Sequence, residues 1–192
     1  MKLKNKYFIL RHGQTIYQTK KKEFVYPPFP EKPGIKLTKK GEKQVKTAAE
    51  KLKKEKIDLI FASDFFRTKQ TAKIVARILG ISKIFFDKRL RDINVGIYHG
   101  KTKKELYQAF PRDARIRFSK RPEKGESWLD AQKRILNFLK DIDKKYKKKT
   151  ILIVSHGDPL WLLEGAVKKW TINKLSKTSG ANYIKTGELR KL

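Results

Sequence analysis

The sequence predicts a single α/β domain built on a mostly parallel central sheet with helices on both faces. Three observations lead there. Short runs that are apolar at almost every residue, at 7–10, 59–62, 84–86 and 151–154, read as parallel strands buried on both faces. Helical patterns alternate with them, at 38–53, 65–79, 103–110, 128–146 and 159–167, as in a sheet wound with crossover helices. A chain of 192 residues with 39% hydrophobic content also has the size of one domain with one sizeable core.

In chain order, MKLKNK is a short basic lead into the first strand, too polar for a secretory leader. With no apolar run of membrane-spanning length, the expectation is a soluble, cytoplasmic protein with no membrane partner. Residues 14–37 resist assignment, with Tyr26-Pro-Pro-Phe-Pro30 and Pro33-Gly34 opposing regular structure. The helix at 65–79 is stopped by Gly80, and Ser127 is the expected N-cap of the helix at 128–146. Residues 86–102 form a second stretch longer than an ordinary connector. Both stretches carry aromatic residues suited to packing over a site as lids. There is no internal repeat and no linker.

The formal net charge is +30, with lysines gathered at 20–22, 39–40, 51–56, 103–104 and 144–149. Such a surface attracts polyanions, so non-specific polyanion binding is an expected property. The lysines are scattered along the chain, which favours a lysine-biased composition on solvated helix faces over a dedicated nucleic-acid site. Ion-pair networks of the thermophilic kind need more acids than the 19 present. The absence of cysteine excludes disulfides, thiolate metal sites and a thiol nucleophile.

Of three histidines, two share one context: Phe8-Ile-Leu-Arg-His-Gly13 and Ile151-Leu-Ile-Val-Ser-His-Gly157. Each directly follows a strand. Ligands bind at the carboxyl ends of strands in open α/β sheets, so His12 and His156 are expected on one rim, with the His12 ring exposed there. A third strand end supplies Ser63-Asp-Phe-Phe-Arg67, with Arg67 in the first helical turn pointing back to the same rim. Arg11, Arg67, both histidines and helix N-terminal amides would make an anion site matched to phosphoryl oxygens.

These segments resemble the histidine phosphatase superfamily, in the branch shared by phosphoglycerate mutase-like enzymes, over nearly the whole chain. Arg11-His-Gly-Gln-Thr15 resembles the Arg-His-Gly signature. Leu37-Thr-Lys-Lys-Gly-Glu-Lys-Gln44 resembles the opening of the family's first helix, and Ser63 to Ala72 its second arginine motif. Leu90-Arg-Asp-Ile-Asn-Val-Gly96 resembles the segment carrying the acid, and Val154-Ser-His-Gly157 that of the second histidine.

The resemblance implies a phosphohistidine on His12 with Asp92 as proton donor. Arg11, Gly13, Gln14, Thr15, Gln18, Arg67, His156 and Gly157 would bind the substrate, a phosphorylated small molecule. No cofactor or metal is implied, since the arginines supply the positive charge. Three departures stand out: Asp92 where glutamate is common, Gln18 for asparagine, and His99 for glutamate. Asp92 has two readings, the acid or a loop aspartate paired with Arg89 or Arg91. Asp158 suits the first turn of a helix or serves as a second candidate acid. Hydrolysis is favoured over mutase transfer because the chain lacks the insertions and tail expected of the glycolytic mutases. A non-catalytic polyanion or nucleic-acid binder on the same fold is the contrasting reading. Nothing in the sequence speaks to oligomeric state.

Overall fold

A computed structural model describes residues 2–19, 23–28, 30–31, 33–111, 113–178 and 183–192. Strands β1 (Lys6–Arg11), β2 (Leu59–Ala62), β3 (Ile84–Phe86), β4 (Thr150–Ser155) and β5 (Leu189–Lys191) form one sheet in the order β3-β2-β4-β1-β5. The first four are parallel and lie where the apolar runs place them, while β5 runs antiparallel beside β1; β3, expected to be buried on both faces, stands at the sheet edge half-buried, with Phe86 exposed. No sequence pattern marks β5, because Leu189-Arg-Lys191 has a single apolar residue; pairing with Phe8, Ile9 and Leu10 makes it a strand.

The helices are α1 (Lys39–Leu52), α2 (Phe66–Leu79), α3 (Lys103–Ala109), α4 (Ala114–Ser119), α5 (Trp128–Lys145), α6 (Gly157–Val167) and α7 (Ile172–Thr178). On one face of the sheet, Val45, Leu52 and Val75 of α1 and α2 pack on Leu10, Ile60, Leu152 and Val154. On the other, Ile135, Phe138, Leu160 and Leu163 of α5 and α6 pack on Ile9, Phe61, Ile151 and Ile153. Successive residues of β4 are therefore buried on opposite faces, which is why the strand shows no polar alternation.

Helices α4 and α7 are too short to leave a periodic signal. They close a third cluster in which Phe118 and Leu175 join Trp128, Trp161 and Leu162. That cluster covers the side of α6 turned away from the sheet, so Leu160, Trp161, Leu162 and Leu163 are buried in succession. Gly80 ends α2 with φ of 69°. Ser127 caps α5 reciprocally with Asp130, accepting from its N–H at 3.1 Å while the Asp130 carboxylate accepts from the Ser127 N–H at 2.9 Å.

The two long segments are laced together over the strand ends. Val25 N–H donates to the Lys101 carbonyl at 2.8 Å, Gly100 N–H to Tyr26 at 3.1 Å, and Lys103 N–H to Glu23 at 2.7 Å. The lysine stretch at 20–22 lies outside the described residues; Lys39, Lys40, Lys43 and Lys46 project from the exposed face of α1. Among the described residues no helix is long and apolar enough to cross a membrane.

Candidate active site

Parallel pairing in register aligns three strand ends. Arg11 of β1 pairs with Ser155 of β4, and Ala62 of β2 with Val154. The next residue on each strand continues the ladder: His12 N–H donates to the Ser155 carbonyl at 3.0 Å, and Ser63 N–H to Val154 at 3.0 Å. His12, His156 and Ser63 thus stand side by side on one rim. The two imidazole centroids are 5.3 Å apart, inclined at 64°.

The Nδ1 of His12 lies 2.8 Å from the Gly13 carbonyl oxygen. A carbonyl only accepts, so this contact puts the proton on Nδ1 and leaves the Nε2 lone pair for chemistry. Burial first, then the Arg67 and Arg11 charges, hold the ring well below the ordinary histidine pKa. The expectation of an exposed ring is corrected: His12 is 1% exposed and His156 fully buried. The rings cover each other, and Phe65 adds its edge to His156 at 5.2 Å between centroids.

Two glycines fix the turn after β1. A Cβ on Gly13 would stand 2.4 Å from the Gly41 carbonyl oxygen, and one on Gly41 would stand 2.2 Å from that of Gln14. Each demands the absence of a side chain in the other's motif, so the Arg-His-Gly turn and the start of α1 pack backbone to backbone. Gln14 N–H donates to Gln44 at 3.0 Å, and its side-chain oxygen accepts from Thr38 at 3.0 Å. Gln14 therefore ties β1 to α1. Thr15 is buried and caps the next turn, hydrogen-bonded to Gln18 at 2.9 Å and to the Tyr26 hydroxyl at 3.0 Å. Gln18 donates to the same Tyr26 hydroxyl and lines the cleft described below.

Arg67 is fully buried in the first turn of α2, its guanidinium 4.0 Å from the Tyr26 ring centroid and 4.8 Å from that of Phe65. It forms ion pairs with Glu31 and, at 3.3 Å, with Asp92. Asp92 Oδ2 is also 3.5 Å from His156 Nδ1, while His156 Nε2 contacts the Ser63 hydroxyl at 3.0 Å. Burial raises the Asp92 pKa above the ordinary carboxylate value; Arg67 opposes the rise and the Asp158 charge adds to it. The side chain is 24% exposed, at the floor of a cleft where water reaches it. Among the described residues Arg89 pairs with Asp87 and Asp141 and Arg91 with Asp64, while the arginine that Asp92 meets is Arg67.

Arg11 donates to the Ile184 carbonyl at 2.8 Å and lies 5.4 Å from the Tyr183 ring. Three nitrogens in this cluster, Arg11 Nε, Arg67 Nε and His156 Nδ1, are buried without a hydrogen-bond partner among the described residues. Such orphans are expensive unless an anion completes them. Asp158, in the first turn of α6, accepts from the Tyr183 hydroxyl at 2.8 Å. Burial and the neighbouring carboxylate push that phenol well above its usual pKa, keeping it a donor. Gly157 makes the contact feasible, since a Cβ there would lie 2.2 Å from the Tyr183 oxygen. His99 joins the two long segments, with Nδ1 2.9 Å from the Tyr26 carbonyl and Nε2 3.1 Å from Asn94.

Above this floor is a cleft of about 340 Å3, lined by Arg11, Arg67, Asp92 and Asp158 below and by Gln18 and Tyr26 at the side. Sequence reasoning singled out none of Tyr26, Glu31, Ser63, Phe65 and Tyr183. Ser63 stood inside a quoted motif, and its place after a strand was the available signal. Phe65 stood in the same motif and Tyr26 among the aromatic residues expected to cover the site, whereas Glu31 and Tyr183 reach it through loops whose paths leave no local pattern.

The profile of the family described as the histidine phosphatase superfamily, branch 1, matches residues 7–184. Phosphoserine phosphatase 1 of Hydrogenobacter thermophilus is 32% identical over 129 residues, 65% of this chain and 60% of its own length, so the match spans less than two thirds of that relative. A probable phosphoglycerate mutase of an Enterobacter species is 31% identical over 170 residues, 83% of this chain and 73% of its own length. Among solved structures, a mycobacterial glucosyl-3-phosphoglycerate phosphatase complexed with VO3 superimposes with a TM-score of 0.82, covering 97% of this chain and 92% of that one. At 23% identity, that likeness speaks for the fold alone.

Proposed function

Because the chain belongs to branch 1 of the histidine phosphatase superfamily, we propose that it is a phosphomonoester hydrolase working through a phosphohistidine on His12. The observation that carries this reading is the buried, neutral His12, held by Gly13 in the tautomer that frees Nε2, beside three partnerless cationic or imidazole nitrogens. A phosphoryl group seated on Arg11, Arg67 and His156 completes those nitrogens. Its equatorial oxygens gain charge in the transition state, and preorganised guanidinium donors stabilise that charge.

In the first step the Nε2 lone pair of His12 forms a bond to phosphorus as the ester P–O bond breaks. The Gly13 carbonyl stabilises the positive charge that the ring acquires. Asp92, whose burial raises its pKa and so favours the protonated carboxyl, gives its proton to the departing alkoxide. As a carboxylate, it then takes a proton from the water that attacks the phosphohistidine, the P–N bond breaks, and His12 returns with inorganic phosphate released. Asp92 is reached by water, which favours hydrolysis over retention of the phosphoryl group for a mutase cycle. Gly13, Gln14 and Thr15 act here by shaping the turn, and Gln18 by lining the cleft.

The enzyme acts as a single domain, in the cytoplasm. The test is rapid-quench labelling with a phosphorylated substrate. An acid-labile, base-stable phosphoenzyme that is absent in His12→Ala is expected. Turnover with no such intermediate would overturn the mechanism.

A further inference from the structure

We infer that the cleft takes a phosphomonoester whose leaving group has a flat apolar body and a second anionic group. The inference rests on the phosphohydrolase reading and names its substrate class.

The volume comes first. A cleft of about 340 Å3 has room for roughly ten water-sized groups at about 30 Å3 each, more than a phosphoryl group alone fills. The rest of the space belongs to the leaving group.

The walls set its body. Tyr17, Phe24 and Tyr26 come from the first long segment, Val95 from the second, and Leu106 and Tyr107 from α3. Tyr17 and Tyr26 are stacked at 4.5 Å, which fixes one flat wall. Phe24 is 46% exposed and turned to the cleft, in a segment pinned to the second lid at Thr102. An apolar body would take this aromatic surface out of water; a small polar acid would leave it wet.

The charges set the second group. At the floor, Arg11 and Arg67 face Asp92 and Asp158, the two acids among the described lining residues. The α3 and α4 side adds two further cations, Lys103 and Arg117. Lys103 donates to the Tyr17 carbonyl at 3.3 Å, and Arg117 to those of Pro111 and Phe110 at 2.8 Å each. These contacts orient both cations along the wall. Arg117 is 6% exposed and backs the wall, so an acid on the far end of the leaving group meets Lys103 there.

The test uses primary alkyl phosphates matched in leaving-group basicity: ethyl phosphate, 2-phenylethyl phosphate and 2-(4-carboxyphenyl)ethyl phosphate. The kcat/KM values should rise in that order, by about tenfold or more per step, the scale on which pockets discriminate. Phe24→Ala should shrink the phenylethyl-to-ethyl ratio, and Lys103→Gln the carboxyphenyl-to-phenyl ratio. A flat series, or both variants lowering all three substrates equally, would overturn the inference. Nitrophenyl phosphate separates the two readings: if it too is not hydrolysed, the hydrolase reading fails, whereas its turnover with a flat series rejects the substrate class alone.

Discussion

The carboxylate of Glu31 lies against the guanidinium of Arg67, and the two side chains are 3% and 0% exposed. One Glu31 oxygen, Oε2, has no hydrogen-bond partner among the described residues. A phosphoryl dianion binding to Arg67 meets this negative charge at close range in a low-dielectric pocket, where like charges repel far more than in water. Glu31→Gln should therefore tighten inhibition by vanadate or phosphate, by about tenfold if about 1.4 kcal/mol of repulsion is removed. Arg67→Ala should weaken it. Inhibition constants for both variants check the point, and unchanged vanadate inhibition in Arg67→Ala would place the anion elsewhere.

His12→Ala should abolish turnover of nitrophenyl phosphate while the far-ultraviolet circular dichroism spectrum stays that of the parent. The ring packs against His156 and not within either apolar layer of the sheet. Its removal takes away the nucleophile and leaves those layers intact. Near-normal activity would contradict the mechanism.

The pH dependence follows from two shifts of opposite sign. His12 is lowered, so the nucleophile stays neutral well below pH 6.5 and activity is lost only on the far acid side. Asp92 is raised, so its proton is present to higher pH than in an ordinary carboxyl, and activity falls as pH rises through that value. A bell with an acidic optimum is expected. Asp92→Asn should remove the alkaline limb. It should also cost about a hundredfold to ten-thousandfold on alkyl phosphates and much less on nitrophenyl phosphate, whose phenolate leaves unprotonated. Equal, small losses on both would shift attention to Asp158.

Gly13→Ala should destabilise the fold by about 1–3 kcal/mol, the usual cost of forcing atoms into a packed site. The new methyl would meet the Gly41 backbone at 2.4 Å, and neither chain segment is a flexible side chain that can swing away. Because the same turn sets the His12 carbonyl contact, activity should fall with stability. Thermal unfolding of the variant and of Gly41→Ala, its partner in the contact, measures this.

The sheet and much of its cover are legible in the residue pattern. Four apolar strand runs, three of them buried on both faces, and four longer helices with an apolar stripe or a continuous apolar run announce themselves through period and composition. The same pattern determined that His12, His156 and Arg67 share a rim, because each follows a parallel strand and parallel strands in one sheet end on the same side. Tertiary structure alone decided how the rim is roofed. Glu31 and Tyr26 reach Arg67 from a segment without periodicity, and that segment is held by hydrogen bonds to residues about 75 positions away, such as Gly100 to Tyr26. It likewise decided that Asp92 pairs with Arg67 and stands beside His156 although Arg91 is its immediate neighbour, since Arg91 is drawn to Asp64. Local sequence encodes propensity and burial, which are short-ranged; the partner of a loop charge is set by which distant charge the fold brings nearest.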